Sequence, residues 1–447
     1  MFRTMLAALA IVTLAMAGHA QSQESLAGSW NGVLDVGAAQ LRLELRIEEN
    51  EDGYSAVMVS VDQGGSAIPV SDFAIEYPEI DLQMAAAGAR YTARLTDGRL
   101  VGTFAQGGAE FPLEMARGAV EAAGPELAPG ESEVFVDAGV RLAGTLRLPE
   151  GDGPHPAVLM LNGSGSQDRD VTIGNHRIFA VLAETLAEAG IASLRLDDRG
   201  MGGSDSTPAT GPRELGRDAG EALAFLRTAD GVDARCTGVL GHSEGGIIAF
   251  LLPDASQPDF IVALAPQAGT LEETLLEQGE AMNRVMGASE DVIEATRARQ
   301  LAMLEALASA PPGEAGAAVE AAFLAHGIPA DAARQQAAFW GQQYVQEAAA
   351  LDPAAALAGY DGPVLGIFAQ NDLQVLAEVN AQRMREARAG LPATIGIVPG
   401  VNHLFQASET GSPADYARAP HAMSPDALTL IAEGAGEIIA HTCGDAR

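Results

Sequence analysis

The chain has 447 residues, of which 47% are hydrophobic, and this length and composition are typical of two folded domains with a sizeable core. It carries 60 acidic and 26 basic residues, a formal net charge of −34, and every basic residue is an arginine. Because the acidic residues are spread along the whole chain, the surface field argues against nucleic acid and anionic membranes as partners. The acidity has two interpretations: a salty habitat that screens self-repulsion, or compositional drift in a GC-rich genome.

Residues 1–20 have the pattern of a secretory signal peptide. Arg3 precedes an apolar run from Met5 to Met16, and small-residue cleavage sites end at Ala17 and at Ala20. A membrane anchor is the alternative, but the run is shorter than the roughly 20 residues that span a bilayer. We therefore predict a periplasmic or secreted protein, cleaved after the signal peptide, with no membrane span.

Export changes how the two cysteines are interpreted. In an oxidising compartment, Cys236 and Cys443 can form a disulfide that joins the final helix to a strand of the sheet. Two unpaired thiols are the alternative, because sequence alone does not give the distance between them.

Residues 26–117 contain short alternating strands, for example 40–47 and 53–61, with a hairpin turn at Asp97-Gly98. This spacing predicts a small antiparallel β-barrel or sandwich. We favour a structural role for it over glycan binding, covering the lid or dimerisation. Residues 118–130 are rich in Gly, Ala and Pro and are predicted to be a linker.

Residues 131–447 alternate strands with helices. The predicted strands are 140–148, 156–161, 191–196, 236–240, 260–265, 363–368 and 394–398, and the predicted helices are 178–188, 213–228, 243–252, 374–389 and 425–441. Continuous apolar strands between amphipathic helices predict a mostly parallel sheet covered by helices on both faces. Residues 270–360 interrupt this alternation with further helices, which we interpret as a lid, with a packing appendage as the alternative.

The strongest local motif is Gly241-His242-Ser243-Glu244-Gly245, which directly follows a predicted strand and opens a helix. G-x-S-x-G in this context is typical of a nucleophile on a sharp turn, and Ser243 is the predicted nucleophile. The helix N-terminus beneath it favours the negative charge of an oxyanion.

A serine nucleophile needs a base, and the base needs an acid to orient it. His403 follows the last predicted strand and is the predicted base, with His421 as the competing histidine. Asp372 follows the strand after the insertion and is the predicted acid, a role that is compatible with helix capping.

An oxyanion hole needs two backbone N–H groups. One is predicted from Glu244, the residue after the nucleophile, and the other from the loop at 162–166, with Ser164 the first choice and Gly163 the second. The charged segment from Arg195 to Ser204 is interpreted as a turn that an Asp–Arg pair braces, with a place at the site entrance as the alternative. Histidine and cysteine spacing predicts no metal, and no glycine motif predicts a phosphate or dinucleotide cofactor.

Five segments together resemble bacterial α/β-hydrolase esterases related to the serine aminopeptidase group: residues 162–170, 197–200, 241–246, 372–375 and 402–405. The resemblance covers residues 131–439, and some members also carry an N-terminal β-rich module. It implies the α/β-hydrolase fold, hydrolysis of carboxylic esters, and catalytic roles for Ser243, Asp372 and His403. Many relatives have His where this chain has Asn162, in the loop that shapes the oxyanion hole.

The predicted function is therefore a serine hydrolase that cleaves small or short-chain carboxylic esters through an acyl-enzyme. A serine peptidase or amidase with the same triad is the first alternative. A non-catalytic binding protein that uses its β-module is the second alternative, and it comes from a different functional class.

Overall fold

The computed structural model describes residues 25–35, 40–50, 53–60, 67–106, 108–118, 127–205, 207, 209, 211–311 and 313–444. The predicted signal peptide and most of the predicted linker lie outside the described residues. Among the helices of these ranges, none is both long and apolar enough to span a bilayer.

The N-terminal part is a nine-stranded antiparallel sheet. Its strands are β1 (Gly28–Asp35), β2 (Gln40–Asn50), β3 (Gly53–Ser60), β4 (Ala67–Pro69), β5 (Asp72–Glu76), β6 (Glu79–Met84), β7 (Ala89–Thr96), β8 (Arg99–Gln106) and β9 (Ala109–Arg117), in the spatial order β4-β3-β2-β1-β9-β8-β7-β6-β5. The sheet curls so that the edges approach each other, because Val70 N–H donates to Ala56 on β3 and Ser71 N–H donates to Gln83 on β6. The expected small antiparallel β-domain is thus confirmed.

Side chains fill the concave face of this sheet. Alternate residues of β7 are buried and exposed, as a half-buried strand requires. Trp30 and Tyr91 are fully buried, and their polar atoms reach backbone carbonyls: Trp30 Nε1 donates to Leu26 at 2.9 Å and the Tyr91 hydroxyl lies 3.1 Å from the carbonyl of Leu100. The interior is a packed core.

The second part is built on an eight-stranded mixed sheet. Its strands are β10 (Glu131–Asp137), β11 (Arg141–Arg147), β12 (His155–Leu161), β15 (Ala192–Leu196), β16 (Val232–His242), β17 (Ile261–Leu264), β18 (Val364–Ala369) and β19 (Ala393–Val398), while β13 (Thr172–Ile173) and β14 (His176–Arg177) form a separate small hairpin. The order is β10-β11-β15-β12-β16-β17-β18-β19, and every pairing from β15 to β19 is parallel.

Helices cover both faces of this sheet, so the predicted α/β-hydrolase architecture is confirmed. The helices are α1 (Ile178–Glu188), α2 (Pro212–Thr228), α3 (Glu244–Ile248), α4 (Leu271–Val285), α5 (Glu290–Ser309), α6 (Ala315–Ala325), α7 (Ala330–Trp340), α8 (Gln343–Ala349), α9 (Pro353–Ala358), α10 (Ala377–Ala387) and α11 (Pro425–Cys443). One apolar core lies under α2, α3, α9 and α10, and a second lies under α1 and α11 on the opposite face.

Helices α4–α9 form the helical insertion between β17 and β18, with an apolar cluster of their own. A capping box at Thr270 begins α4, in which Thr270 and Glu273 exchange side-chain to backbone hydrogen bonds. Arg383 of α10 binds Glu277 of α4 through two hydrogen bonds of 2.7 and 3.1 Å, which ties the start of the insertion to the sheet domain. Buried Arg388 ties its end by donating to four carbonyls: those of Leu357, Tyr360, Gly362 and Pro392.

Two features differ from the sequence-based expectations. Strand β10 pairs with β11 ahead of the first predicted strand. Helix α3 ends at Ile248, whereas the pattern predicts a helix as far as Leu252; Pro253 follows there and disfavours helical backbone in the residue before it.

Cys236 and Cys443 are joined by a disulfide, with their Cα atoms 5.8 Å apart. Cys236 is a buried residue of β16 and Cys443 is the last residue of α11. Of the two interpretations that the sequence leaves open, the structure therefore has the disulfide, which joins the C-terminal helix to the strand that leads to Ser243.

Candidate active site

Ser243 occupies the sharp turn between β16 and α3. Its backbone has φ 54° and ψ −118°, a conformation that L-residues rarely adopt and that costs about 1–3 kcal/mol. The turn is held by a 2.8 Å hydrogen bond from Ser243 N–H to the carbonyl of Leu264, at the end of β17. The serine is thus fixed at the carboxyl edge of the sheet in a strained conformation.

The glycines of the motif are required by close backbone contacts. A Cβ atom on Gly241 would lie 2.1 Å from the carbonyl oxygen of Gly245. One on Gly245 would lie 2.3 Å from the carbonyl oxygen of Leu161 and 2.4 Å from that of Asn162. Since these neighbours are backbone atoms, they cannot move away as a flexible side chain does, and the turn accepts only glycine at both positions.

Asp372 and His403 form a buried pair beside this turn. His403 Nδ1 lies 2.6 Å from Asp372 Oδ2, and the two residues are 5% and 2% exposed. The other carboxylate oxygen, Oδ1, accepts from the backbone N–H groups of Gln374 and Val375 at 2.7 and 2.9 Å. The carboxylate is therefore oriented by its own turn and directs one oxygen at His403; the residue that caps α10 is Leu376.

The loop that carries His403 is braced from within. Asn402 Oδ1 accepts from the backbone N–H groups of Leu404 and Gln406, both at 3.0 Å, and Asn402 Nδ2 donates to Gln406 Oε1. Phe405 is 1% exposed and anchors the loop in the core. His421, the competing histidine, is exposed at the surface, so burial and an acid partner both favour His403.

The structure brings the loop that carries His403 and the serine turn into contact through His242. The ring of His242 lies with its centroid 4.7 Å from that of His403, and its Nε2 is 2.8 Å from the His403 carbonyl oxygen. Among the described residues, no hydrogen bond joins the Ser243 hydroxyl to the His403 ring. Such bonds are often long in unliganded enzymes and shorten when substrate binds.

The predicted oxyanion loop lies against the serine. A Cβ atom on Gly163 would lie 3.4 Å from Ser243 Cβ, so Gly163 is a close neighbour of the serine, while Ser164 is exposed. Glu244 is the first residue of α3. The side-chain amide nitrogen of Asn162 contacts the carbonyl of Leu196 at 3.3 Å and Asp198 Oδ1 at 3.2 Å, which holds the loop against the neighbouring strand end.

An acidic cluster next to the serine was not anticipated from the sequence. Asp198 accepts from Gln167 N–H at 2.8 Å, and burial raises the pKa of its carboxyl to about 7, with Asp197 and Glu244 adding to the rise. Burial also raises the pKa of Glu244, while a hydrogen bond from the Tyr344 hydroxyl opposes the rise. Tyr344 belongs to α8, so the helical insertion reaches the residue that follows Ser243.

The charged turn itself is braced, as its structural interpretation predicts. Asp197 Oδ2 pairs with Arg169 at 2.6 Å, and Arg199 Nε pairs with Asp218 of α2 at 2.7 Å. Asp198 lies between Asp197 and Arg199 in the chain, and in the part of the chain that the structure describes no arginine forms an ion pair with it. The signal that could have identified it is the extra carboxylate in a turn whose other charges are matched.

Within the described ranges, no three His, Cys, Asp or Glu side chains are grouped closely enough to hold a metal ion.

Comparison with known proteins gives a family match and one curated relative. Residues 173–402 match the family described as serine aminopeptidase, S33, a segment that contains Ser243 and Asp372 and ends one residue before His403. Esterase EstD of Thermotoga maritima is 30% identical over 284 residues, which cover 63% of this chain and 62% of that protein. The chain therefore spans less than two thirds of the length of this relative.

Comparison with solved structures gives matches at low sequence identity. Est1E of Butyrivibrio proteoclasticus with bound ferulic acid is 16% identical, with 70% of this chain and 99% of that chain covered and a TM-score of 0.42. The carboxylesterase EstE1, cloned from a metagenomic library, is 19% identical, with 71% and 92% covered and a TM-score of 0.42.

Proposed function

This chain belongs to the serine aminopeptidase (S33) family of α/β-hydrolases, and from that premise we propose that it is a serine esterase in which Ser243, His403 and Asp372 form the catalytic triad. The observation that carries the proposal is the strained serine turn beside the buried Asp372–His403 pair, all at the carboxyl edge of the parallel strands β16, β18 and β19. The name of the relative EstD supports a carboxylic ester as the substrate class.

The proposed reaction follows from the hydrogen-bond donors and acceptors of the site. His403 Nε2 takes the proton of the Ser243 hydroxyl while the serine oxygen attacks the acyl carbon of the ester. Asp372 accepts from His403 Nδ1–H and stabilises the imidazolium that forms. His403 then gives the proton to the leaving alcohol, and an acyl-enzyme remains.

Backbone N–H groups of Glu244 and of Ser164 or Gly163 are the proposed oxyanion donors. A donor of this kind is typically worth about 2.7–4 kcal/mol of transition-state stabilisation. The partial positive charge at the N-terminus of α3 also stabilises the negative charge of the oxyanion. Water activated by His403 then attacks the acyl carbon, and the acid leaves with the serine regenerated.

The chain organisation is part of the proposal. We assign residues 26–117 to the β-rich domain, 118–130 to the linker and 131–447 to the hydrolase domain, with residues 270–360 as a lid. Contact between Tyr344 and Glu244 supports the lid, and the side-chain-filled interior around Trp30 supports a structural role for the β-rich domain. The disulfide is compatible with export to the periplasm or medium.

A peptidase is the second candidate, and the family description, serine aminopeptidase, is the observation that favours it. The same triad hydrolyses amides, since the two reactions differ mainly in the protonation of the leaving group. Activity on aminoacyl-anilides in place of esters would support this candidate.

The test is hydrolysis of p-nitrophenyl esters from acetate to palmitate in moderate salt by wild type, Ser243→Ala and a control. Ser132→Ala is the matched control, because Ser132 is an exposed serine of β10. We expect activity on short esters in wild type and Ser132→Ala and none in Ser243→Ala. Equal activity in Ser243→Ala would overturn the assignment. Folded wild type that is inactive on esters and anilides alike would favour a binding protein.

A further inference from the structure

His242 immediately precedes the proposed nucleophile and takes no part in the proposed proton transfers. It is the last residue of β16 and is 7% exposed. Its ring has neighbours on two separate loops, the base loop of His403 and the oxyanion loop of Gly163. The His242 side chain therefore connects three parts of the proposed site: the serine turn, the loop that carries His403 and the loop that carries Gly163.

The contact with the base loop fixes the tautomer of this ring. Its Nε2 lies 2.8 Å from the carbonyl oxygen of His403, and a carbonyl oxygen only accepts hydrogen bonds. Nε2 must then carry the hydrogen, and Nδ1 is left unprotonated. A Cβ atom on Gly163 would lie 3.4 Å from that Nδ1, so the unprotonated side of the ring faces the oxyanion loop.

The surroundings also keep the ring neutral. Burial, reinforced by the nearby charge of His403, lowers the pKa of His242 to about 3. Phe405 approaches the ring edge-on at 6.4 Å between centroids and contributes no charge. Because its pKa is lowered to about 3, the His242 ring is a far weaker base than an ordinary imidazole and does not compete with His403 for the serine proton. It therefore remains a donor to the His403 carbonyl while His403 itself gains and loses a proton.

We propose that His242 is a positioning residue, which sets the height of the His403 loop relative to Ser243 through its hydrogen bond to the His403 backbone. The inference rests on the proposed function, since it assumes that His403 is the base. The role differs from simple packing, because the proposed nucleophile Ser243 and the side chain that supports the backbone of its proposed base occupy consecutive positions in the chain.

The first test separates the hydrogen bond from the volume of the side chain. His242→Leu keeps an apolar group in the core without a donor, and His242→Gln keeps a donor at the position of Nε2. We expect His242→Leu to lower kcat on esters by about 10²-fold, the typical cost of a base misplaced by about 1 Å, with KM unchanged. His242→Gln should recover most of kcat. Equal loss in both variants, or no loss in His242→Leu, would overturn the proposal.

A matched control is His155→Gln, because His155 begins β12 at the opposite end of the strand from the site. This variant should retain wild-type kcat and KM. All comparisons are made at a temperature at which each variant is folded by circular dichroism, so that lower stability does not count as lower activity.

The second test asks whether His242 acts through His403. In a double-mutant cycle, His242→Leu added to His403→Ala should cause no further loss of ester hydrolysis, because the loop then carries no base to position. A full additional loss would show that His242 acts on the serine turn instead. If His403→Ala alone keeps wild-type activity, the proposed function fails; if it is inactive while His242→Leu is normal, only the positioning role fails.

The third test needs no variant of His242 to fold. Two-bond ¹H–¹⁵N spectra of the histidine rings report which nitrogen carries hydrogen in the unmodified protein. We expect the His242 ring to be neutral, with hydrogen on Nε2, from about pH 5 to about pH 8, the range in which an unperturbed imidazole changes its charge. An Nδ1–H tautomer or a titrating ring at His242 would contradict the hydrogen bond to His403.

Discussion

The disulfide between Cys236 and Cys443 should contribute several kcal/mol to the stability of the hydrolase domain. It joins residues separated by 207 positions in the sequence. In the chain-entropy model, a cross-link over a segment of that length raises the free energy of unfolding by about 5 kcal/mol at 25 °C, and measured contributions are typically about 2–4 kcal/mol. We expect reduction to lower the free energy of unfolding by about 2–5 kcal/mol.

Two variants separate the cross-link from core packing. Cys236 is 3% exposed, so Cys236→Ala also removes a buried sulfur atom, whereas Cys443 is only partly buried. Cys443→Ala should therefore match the reduced wild type, and Cys236→Ala should be less stable than Cys443→Ala by about 1 kcal/mol. Urea unfolding followed by far-UV circular dichroism gives both differences.

Ester hydrolysis should survive reduction at 25 °C. Cys236 lies six residues before His242, the last residue of β16, which is about 20 Å at about 3.3 Å per residue, so the cross-link lies far from the serine turn. An unchanged unfolding midpoint after complete reduction would refute the argument from chain entropy. Loss of activity without unfolding would refute the argument from distance.

Three further predictions concern the site itself. The carboxyl of Asp198 has a pKa of about 7 in the folded chain, against an ordinary value of about 3.9, so its burial lowers the free energy of unfolding as pH rises from about 4 to about 7. Asp198→Asn should therefore be more stable than wild type above pH 7, by up to about 4 kcal/mol, and equally stable near pH 4. Thermal unfolding measured against pH will show this difference. Gly245→Ala should abolish ester hydrolysis and lower the free energy of unfolding by about 1–3 kcal/mol, because the new Cβ atom would overlap two backbone carbonyl oxygens. The control Gly436→Ala has open space on α11, so it should leave the free energy of unfolding unchanged or raise it. Asp372→Asn should keep the fold and lower kcat by about 10³–10⁴-fold; a loss below tenfold would contradict its role as the acid.

Much of the hydrolase domain is predictable from its sequence because its signals are local. The buried strands β12 and β18 are short apolar runs bounded by turn residues, and the serine turn after β16 is marked by glycines at fixed spacing. The choice of Asp372 and His403 as the proposed acid and base follows from chain order, since each comes soon after a strand of a parallel sheet whose carboxyl ends meet at one edge.

Other features depend on contacts between distant segments, which no local pattern records. Strand β10 is half exposed and is defined by pairing with β11. Asp198, Glu244 and Tyr344 come from three separate segments of the chain. The pKa values of Asp198 and Tyr344 are raised because the fold buries these side chains together. The disulfide likewise requires the fold, because sequence fixes neither the distance nor the direction of the two side chains.

The central claim is that Ser243 is the nucleophile, and covalent labelling tests it most directly. A fluorophosphonate probe forms a bond to a serine oxygen only where a base activates that oxygen, and peptide mapping by mass spectrometry identifies the residue. The account predicts a single adduct on Ser243 that is absent from Ser243→Ala and strongly reduced in His403→Ala. An adduct on another serine, or no adduct on folded wild type, would contradict it.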